Sequence, residues 1–459
     1  LLTADSVAQN GNITTGTVAA NVGTITVTAD AGSVTMATGT SSSTSGGAGL
    51  IAYSATADVA LSILTTTGNV TVTADSDAST AGAITDNLTG EAANILGATV
   101  TLSAATGIGT SAEDIDTTIT TLIATNSTSG DIYVQETSGL VIGGSGVRTL
   151  GGSGNINIDV DAGNLTVSGV VTANGDGNVT LNADAGTLTQ DATKTISSSS
   201  GNIVLTADVV AQNGDITTGT VTTEVGTITV TADNGGITMA DLTTSSTSGG
   251  AGLIAYSATG GVALSLLTTT GNINVTAGAA PGVAGAITDN TALENANLVG
   301  ATVTLTADTG IGTSAADKDI DTTITTLTAT NNTSGDIYVQ ETNGLVIGGT
   351  GVLTLAGNGN INIDVDAGAL TVSGLVTAHG DGNVTLNAGG GLLTQDATKT
   401  ISSTSGDILL TADSVAQNGD ITTGTVLANV GTITVTADNG AITMADLTTS
   451  STSGGAGLI

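Results

Sequence analysis

The chain has 459 residues, of which 67 are glycine, one is proline, and none is cysteine, tryptophan or phenylalanine. Four basic residues stand against 39 acidic ones, giving a formal net charge of −35, which excludes nucleic-acid binding through a basic surface. The missing cysteine excludes disulfides and thiolate chemistry, while the 39% apolar and 9% charged content is unlike that of a disordered acidic tail.

The sequence is a tandem repeat with a period of 205 residues. Residues 206–221 return as 411–426 with a single change, and residues 237–254 return unchanged as 442–459. Residues 3–18 are an earlier copy of the same passage, 203 residues before the second, because a short insertion around Lys318 lengthens the later copy. Self-similarity at a fixed period predicts a solenoid scaffold in preference to an enzyme with a single active site.

We therefore divide the chain by its repeats. Residues 1–205 form long repeat 1, which begins within a strand, residues 206–410 form long repeat 2, and residues 411–459 begin long repeat 3. We expect all three to belong to one continuous solenoid cut from a longer array.

A shorter rhythm divides each long repeat into coils, where a coil is one winding of the chain. Gly-Asn, Gly-Asp or Gly-Thr precedes an alternating strand that begins at an apolar anchor, and the anchors recur about every 24 residues. This spacing predicts about eight coils per long repeat, including a long step of 34 residues from Val303 to Ile337. The regular anchors are Ile156, Val179, Ile203 and Ile228, and then Ile361, Val384, Ile408 and Ile433.

Each anchor opens a strand in which apolar and polar residues alternate. Ile156, Ile158 and Val160 are expected to face inward, while Asn155 and Asn157 face out. A glycine turn leads to a second short strand, and the remaining half coil forms a third. The pattern predicts an all-β parallel β-helix with three short strands per coil, apolar stripes inside, and ladders of Asn and Thr outside.

Residues 154–158, 163–169 and 177–183 read GNINI, GNLTVSG and GNVTLNA, each on a coil strand. These passages resemble the shaft repeats of filamentous-haemagglutinin-type exoproteins, which are giant bacterial surface adhesins exported by two-partner secretion. The resemblance covers essentially the whole chain. It implies a right-handed β-helix and an extracellular, cell-surface location, and it transfers no functional site.

Aspartates offer the closest approach to a chemical motif. Ile-Asp-Val-Asp occurs in both long repeats and places two carboxylates on one strand face. Calcium binds six to eight oxygen ligands, so these aspartates are candidate metal ligands, with turn capping by solvated Asp as the simpler alternative. No other cofactor is expected, and the candidate calcium ligands are Asp159, Asp161, Asp364 and Asp366.

Nothing in the sequence predicts an enzyme. The unusual residues Arg148, Lys194 and His379 are scattered, whereas catalysis needs acids, bases or nucleophiles clustered at one site. We interpret them as surface substitutions and expect no catalytic residues.

The sequence favours a structural or adhesive extracellular filament. Two alternatives remain open: a recognition surface that binds ice, glycan or mineral through Thr and Asn ladders, and a calcium-stiffened surface layer or sheath. Expected partners are further copies of the chain, end to end or side by side, or a host-cell, neighbouring-cell or glycan surface. We expect neither nucleic-acid binding nor insertion into a membrane.

Overall fold

The protein is described by a computed structural model that is all-β. Among the described residues every regular element is a strand, and all the strand pairings are parallel. A helix long and apolar enough to pass through a bilayer does not occur in this part of the chain. The described residues are 1–16, 22–44, 47–219, 225–280, 283–315, 317–424, 431–445 and 447–449.

The chain divides into two compact units, Leu1–Val230 (unit 1) and Thr231–Ile459 (unit 2). The strands of unit 1 are short because glycine and turn residues interrupt each coil two or three times. They are β1 Leu2–Ala4, β2 Val7–Gln9, β3 Ile13–Thr15, β4 Ile25–Ala29, β5 Val34–Met36, β6 Ser41–Thr44, β7 Ile51–Ala55, β8 Val59–Leu61, β9 Ile63–Thr65, β10 Val70–Ala74, β11 Ile84–Asp86, β12 Ile95–Leu96, β13 Thr99–Ala104, β14 Ile115–Thr118, β15 Thr121–Asn126, β16 Ile132–Glu136, β17 Leu140–Thr149, β18 Ile156–Val160, β19 Leu165–Val167, β20 Val171–Ala173, β21 Val179–Gln190, β22 Ile196–Ser198, β23 Ile203–Gln212 and β24 Ile216–Thr218.

The next strand, β25 Ile228–Ala232, includes the boundary between the units. Unit 2 repeats the order of short strands seen in unit 1. Its strands are β26 Ile237–Met239, β27 Thr244–Thr247, β28 Ile254–Ala258, β29 Val262–Leu264, β30 Leu266–Thr268, β31 Ile273–Ala277, β32 Ile287–Asp289, β33 Leu298–Val299, β34 Thr302–Ala307, β35 Ile320–Thr323, β36 Thr326–Asn331, β37 Ile337–Glu341, β38 Leu345–Thr354, β39 Ile361–Val365, β40 Leu370–Val372, β41 Leu375–Ala378, β42 Val384–Gln395, β43 Thr400–Ser403, β44 Ile408–Gln417, β45 Asp420–Thr423, β46 Ile433–Ala437, β47 Ile442–Met444 and β48 Leu447–Thr449.

Strands of successive coils stack in register. In unit 1, Ile156 pairs with Val179 and Val179 pairs with Ile203, which are the anchors predicted from the sequence. Ile156, Ile158 and Val160 are buried, and the residues between them are partly exposed. The predicted parallel β-solenoid with coils of about 24 residues is confirmed. The β-branched residues fit it because their stiff side chains pack well on a pleated surface.

The predicted step from Val303 to Ile337 is wrong. Val303 pairs with Leu327, and Ile337 stacks on Ile311. The 34 residues between the two anchors therefore span one coil and an additional strand position. The anchor motif marks the start of a strand after a turn, and such a strand can lie on any face of the solenoid.

This shift changes how the long repeat fits the solenoid in unit 2. Eight coils lead from Ile237 to Ile433, yet the sequence copy of Ile237 is Ile442, nine residues further along. One long repeat is thus eight coils and one additional strand, and the copied strand lies on a different face. The stacked positions are Ile237, Val262, Ile287, Ile311, Ile337, Ile361, Val384, Ile408 and Ile433.

Candidate functional site

A ladder of side-chain amides and carboxylates runs along the outside of unit 1. The Oδ1 atom of Asp131 accepts a hydrogen bond from the backbone N–H of Asn155 at 2.7 Å. The side-chain Oδ1 of Asn155 accepts in the same way from the backbone N–H of Asn178 at 2.9 Å. Asn178 accepts from the N–H of Asn202 at 2.8 Å, and Asn202 accepts from the N–H of Thr227 at 2.8 Å. Each step joins one coil to the next, so the predicted outward Asn ladder is present in this unit.

Unit 2 contains the same ladder with a different composition. Asp336, Asn360, Asn383 and Asp407 accept in turn from the next backbone N–H, and the ladder reaches Thr432. Asp407 stands where unit 1 has Asn202. An oxygen acceptor is therefore what each position requires, because a carboxylate and an amide both supply one.

The predicted calcium ligands of unit 1 come together with a third carboxylate. Asp159, Asp161 and Asp184 each place an oxygen within 4.8 Å of the others. Asp159 accepts from Asn182 Nδ2 at 2.8 Å and Asp161 accepts from Gln135 Nε2 at 2.9 Å. Burial is the main cause that raises the pKa of Asp159, and the charges of Asp184 and Asp161 add to the rise.

Their counterparts in unit 2 differ by one residue. Asp364 accepts from Asn387 at 2.7 Å, and Asp366 accepts from Gln340 at 3.1 and 3.0 Å. Gly389 stands where unit 1 has Asp184, so the third carboxylate is missing there. Calcium binding at these four predicted ligands stays a prediction.

Two further acidic clusters were not predicted from the sequence. In unit 1, oxygens of Glu91, Asp114 and Asp116 lie within 4.8 Å of one another. Asp116 is 8% exposed, and its backbone N–H donates to Asn94 Oδ1 at 3.0 Å. Burial raises the pKa of Asp116 to about 7, and the charges of Asp114 and Glu91 contribute next.

The unit 2 cluster consists of Glu294, Asp319 and Asp321 with the same geometry. Asp321 is also 8% exposed. Burial raises its pKa to about 7, with Asp319 and Asp289 adding charge repulsion. A hydrogen bond with Asp317 is the main cause that raises the pKa of Glu294 to about 7. Each cluster thus brings three carboxyl groups together, and among the described residues none of them forms an ion pair.

A polar pocket of about 230 Å³ opens at the unit 2 cluster. The residues that line it include Glu294, Asp317, Asp319, Tyr338 and Gln340. Eight of its nine lining residues carry a side-chain oxygen, and the ninth is Ala315. Such a lining suits a hard cation better than an apolar ligand.

The inserted residue Lys318 lies beside this pocket but is engaged elsewhere. Its Nζ atom donates to Asp289 Oδ2 at 3.1 Å and to the carbonyl oxygen of Thr291 at 2.6 Å. In unit 1 the equivalent Asp86 accepts from the Leu88 backbone N–H at 2.7 Å and from Asn94. Over the described ranges, the pair of Lys318 and Asp289 is the one ion pair.

In each unit, a buried glutamate stabilises a corner of the coil, where one strand ends and the chain turns towards the next. Glu341 is fully buried, and its Oε2 accepts from Thr322 Oγ1 at 2.7 Å and from the Ile324 backbone N–H at 2.9 Å. Its Oε1 accepts from the Asn343 backbone N–H at 3.0 Å. Glu136 makes the equivalent bonds in unit 1. These glutamates hold backbone groups at the corner, and burial raises the pKa of both.

Among the described residues, Arg148 and Lys194 form no ion pair with a carboxylate. His379 Nδ1 lies 2.8 Å from the carbonyl oxygen of Gly357, and Asn174 Nδ2 donates to Gly152 at 2.8 Å in unit 1. The histidine thus keeps the contact made by the asparagine that it replaces.

No protein-family model matches the chain, and no match was found among curated proteins or among solved structures. The solenoid architecture implied by the resemblance to haemagglutinin-type shafts is confirmed. Membership of that family stays a prediction.

Proposed function

We propose that the chain is a structural segment of an extracellular bacterial filament or stalk. The observation that carries this proposal is the continuous pairing of coils inside each unit, reinforced outside by the Asp and Asn ladders from Asp131 to Asn202 and from Asp336 to Asp407. Because each coil bonds to its neighbours through backbone and side chains alike, load along the array is shared by many hydrogen bonds.

Repetition of the surface also supports a scaffold role. The Asn ladder, the buried glutamate corner and one acidic cluster each occur once in unit 1 and again in unit 2. A catalytic site is normally a single constellation, whereas a scaffold gains strength from every copy of a stabilising contact.

Immuno-electron microscopy tests this proposal on the native protein. Antibodies raised against the purified full chain should label filaments that project from the surface of intact source cells. Labelling confined to the cytoplasm of sectioned cells would overturn the proposal. Binding of the purified chain to host cells or immobilised glycans would assign it an adhesive role in addition to the structural one.

A further inference from the structure

The acidic cluster of unit 2 contains a carboxylate oxygen whose bonding is incomplete. Asp321 is only 8% exposed. Within the described structure, its buried Oδ2 atom has no hydrogen-bond partner. Buried carboxylate oxygens normally accept hydrogen bonds or bind a metal. Oxygens of Glu294 and Asp319 lie within 4.8 Å of an Asp321 oxygen, so the unpartnered group belongs to a ring of like charges.

From this geometry we propose that Glu294, Asp319 and Asp321 bind a divalent cation of the calcium class, and that Glu91, Asp114 and Asp116 form the equivalent site in unit 1. This inference goes beyond the proposed filament function, because cation binding by the folded chain does not depend on where the protein acts.

The available ligands are all of the type that calcium prefers. Glu294 and Asp319 line the pocket together with Asp317, Gln340 and Tyr338, which all carry side-chain oxygens. An oxygen of Asp321 lies within 4.8 Å of oxygens of Glu294 and Asp319. Calcium takes six to eight oxygen ligands in flexible geometry, whereas zinc prefers nitrogen and sulfur. The open 230 Å³ pocket also leaves room for water ligands, which favours calcium or magnesium over a metal that needs a closed tetrahedral cage.

Within the part of the chain that the structure describes, no lysine or arginine forms an ion pair with the cluster. Lys318 is next to Asp319 in sequence, yet its ammonium group pairs with Asp289. In unit 1 the insertion that carries Lys318 is absent, and the three carboxylates still converge within 4.8 Å. Two copies with different neighbouring loops therefore keep the same ring of oxygens.

A proton shared between carboxyl groups is the competing explanation. Oxygens of Asp321 and Glu294 lie within 4.8 Å of each other, and a proton held between the two groups would relieve the repulsion without a metal. The cluster of Asp159, Asp161 and Asp184 differs, because each member already accepts from an amide: Asn182 donates to Asp159 and Asp184, and Gln135 donates to Asp161. We therefore propose one calcium site at each of the two other clusters, and calcium binding at Asp159 and Asp161 stays a separate prediction.

Isothermal titration calorimetry of the chelator-treated full chain with calcium chloride at pH 7.5 tests the proposal. We expect two sites with dissociation constants of about 1 mM or tighter, in the range of extracellular calcium modules. Asp321→Asn should weaken one site at least about tenfold, and Asp116→Asn should weaken the other. Combining both substitutions should weaken both sites together.

Controls separate binding from folding and from net charge. Glu294→Gln alters an exposed ligand, so it should weaken the same site even if Asp321→Asn disturbs packing. Asp233→Asn removes one exposed charge outside the clusters and should leave both sites intact. Circular dichroism of each variant should match that of the parent chain. Absence of calcium heat in the parent, or two unchanged sites in Glu294→Gln and Asp116→Asn, would overturn the proposal and favour the shared proton.

Discussion

Two adjacent glycines in strand β42 provide a matched test of how tightly the coils stack. A Cβ atom added at Gly391 would lie 1.9 Å from the carbonyl oxygen of Gly368, whereas one added at Gly390 would meet nothing within 4 Å. Neither glycine has a positive φ, so alanine fits the backbone conformation at both. Unit 1 has Ala185 and Gly186 at the equivalent positions, which agrees with the difference in space.

The cost of Gly391→Ala follows from this distance. A Cβ atom cannot approach closer than 3.0 Å, so the two coils must separate locally by about 1.1 Å. A ladder hydrogen bond of about 2.9 Å stretched by that amount is lost. Overpacking costs about 1–3 kcal/mol and each lost hydrogen bond about 1 kcal/mol, so we expect a local destabilisation of about 2–4 kcal/mol.

Hydrogen exchange followed by mass spectrometry measures this local effect on the full chain. A loss of about 2 kcal/mol or more should speed the exchange of peptides that cover residues 368–372 and 391–395 by about 30-fold or more. Gly390→Ala should change the same peptides less than about twofold. Equal exchange in the two variants would refute the argument that backbone contact between coils requires glycine at 391.

Three further predictions concern polar groups. Asn202→Ala should lower stability by about 1 kcal/mol per lost hydrogen bond, because Asn202 Oδ1 accepts from the Thr227 backbone N–H and hydroxyl. Asn202→Asp should be neutral in urea unfolding, since Asp407 fills this role in unit 2; equal loss in both variants would contradict the ladder. Tyr53→Phe should cost about 1–2 kcal/mol, because the buried hydroxyl lies 2.6 Å from both Ser42 Oγ and Gln9 Oε1; an unchanged melting temperature would exclude this network as a source of stability. The raised pKa values of Glu136 and Glu341 mean that the folded chain binds their protons more tightly than the unfolded chain. Their contribution to stability should therefore increase as the pH falls from above the raised pKa towards the ordinary value of 4.5. Urea midpoints between pH 8 and 5 should show this rise, and it should shrink when both residues are changed to Gln.

The sequence was sufficient for the strands, the coil length and the outward ladder. Alternation places Ile156, Ile158 and Val160 inside, and burial confirms it. The ladder from Asn155 to Asn178 follows from the coil length, because identical residues one coil apart become neighbours in a parallel stack. These features depend on local pattern and a single period, and both are visible in the residues themselves.

The acidic clusters could not be predicted from the alternation of apolar and polar residues or from the coil length. Glu91 lies in a loop that precedes strand β12, while Asp114 directly precedes β14 and Asp116 lies within it. Strand β12 pairs with β14, and this pairing brings the loop to the carboxylates. The intervening coils have irregular lengths, so the residues that stack there cannot be found by counting from the anchors. Knowledge that Ile95 pairs with Thr117 would have revealed the cluster.

The same irregular coils determine on which strand of a coil a copied residue lies. Within unit 2, eight coils lead from Ile237 to Ile433, and the copy of Ile237 is on the neighbouring strand at Ile442. Within unit 2, this repeat of eight coils and one strand places the copied strand at the next of the three strand positions in a coil. In an array of such repeats, a side-by-side contact through one face would recur only at every third long repeat. Proteolytic or antibody footprints on bundled filaments should therefore show protection at one copy in three; equal protection of every copy would mean that bundling does not use a fixed face.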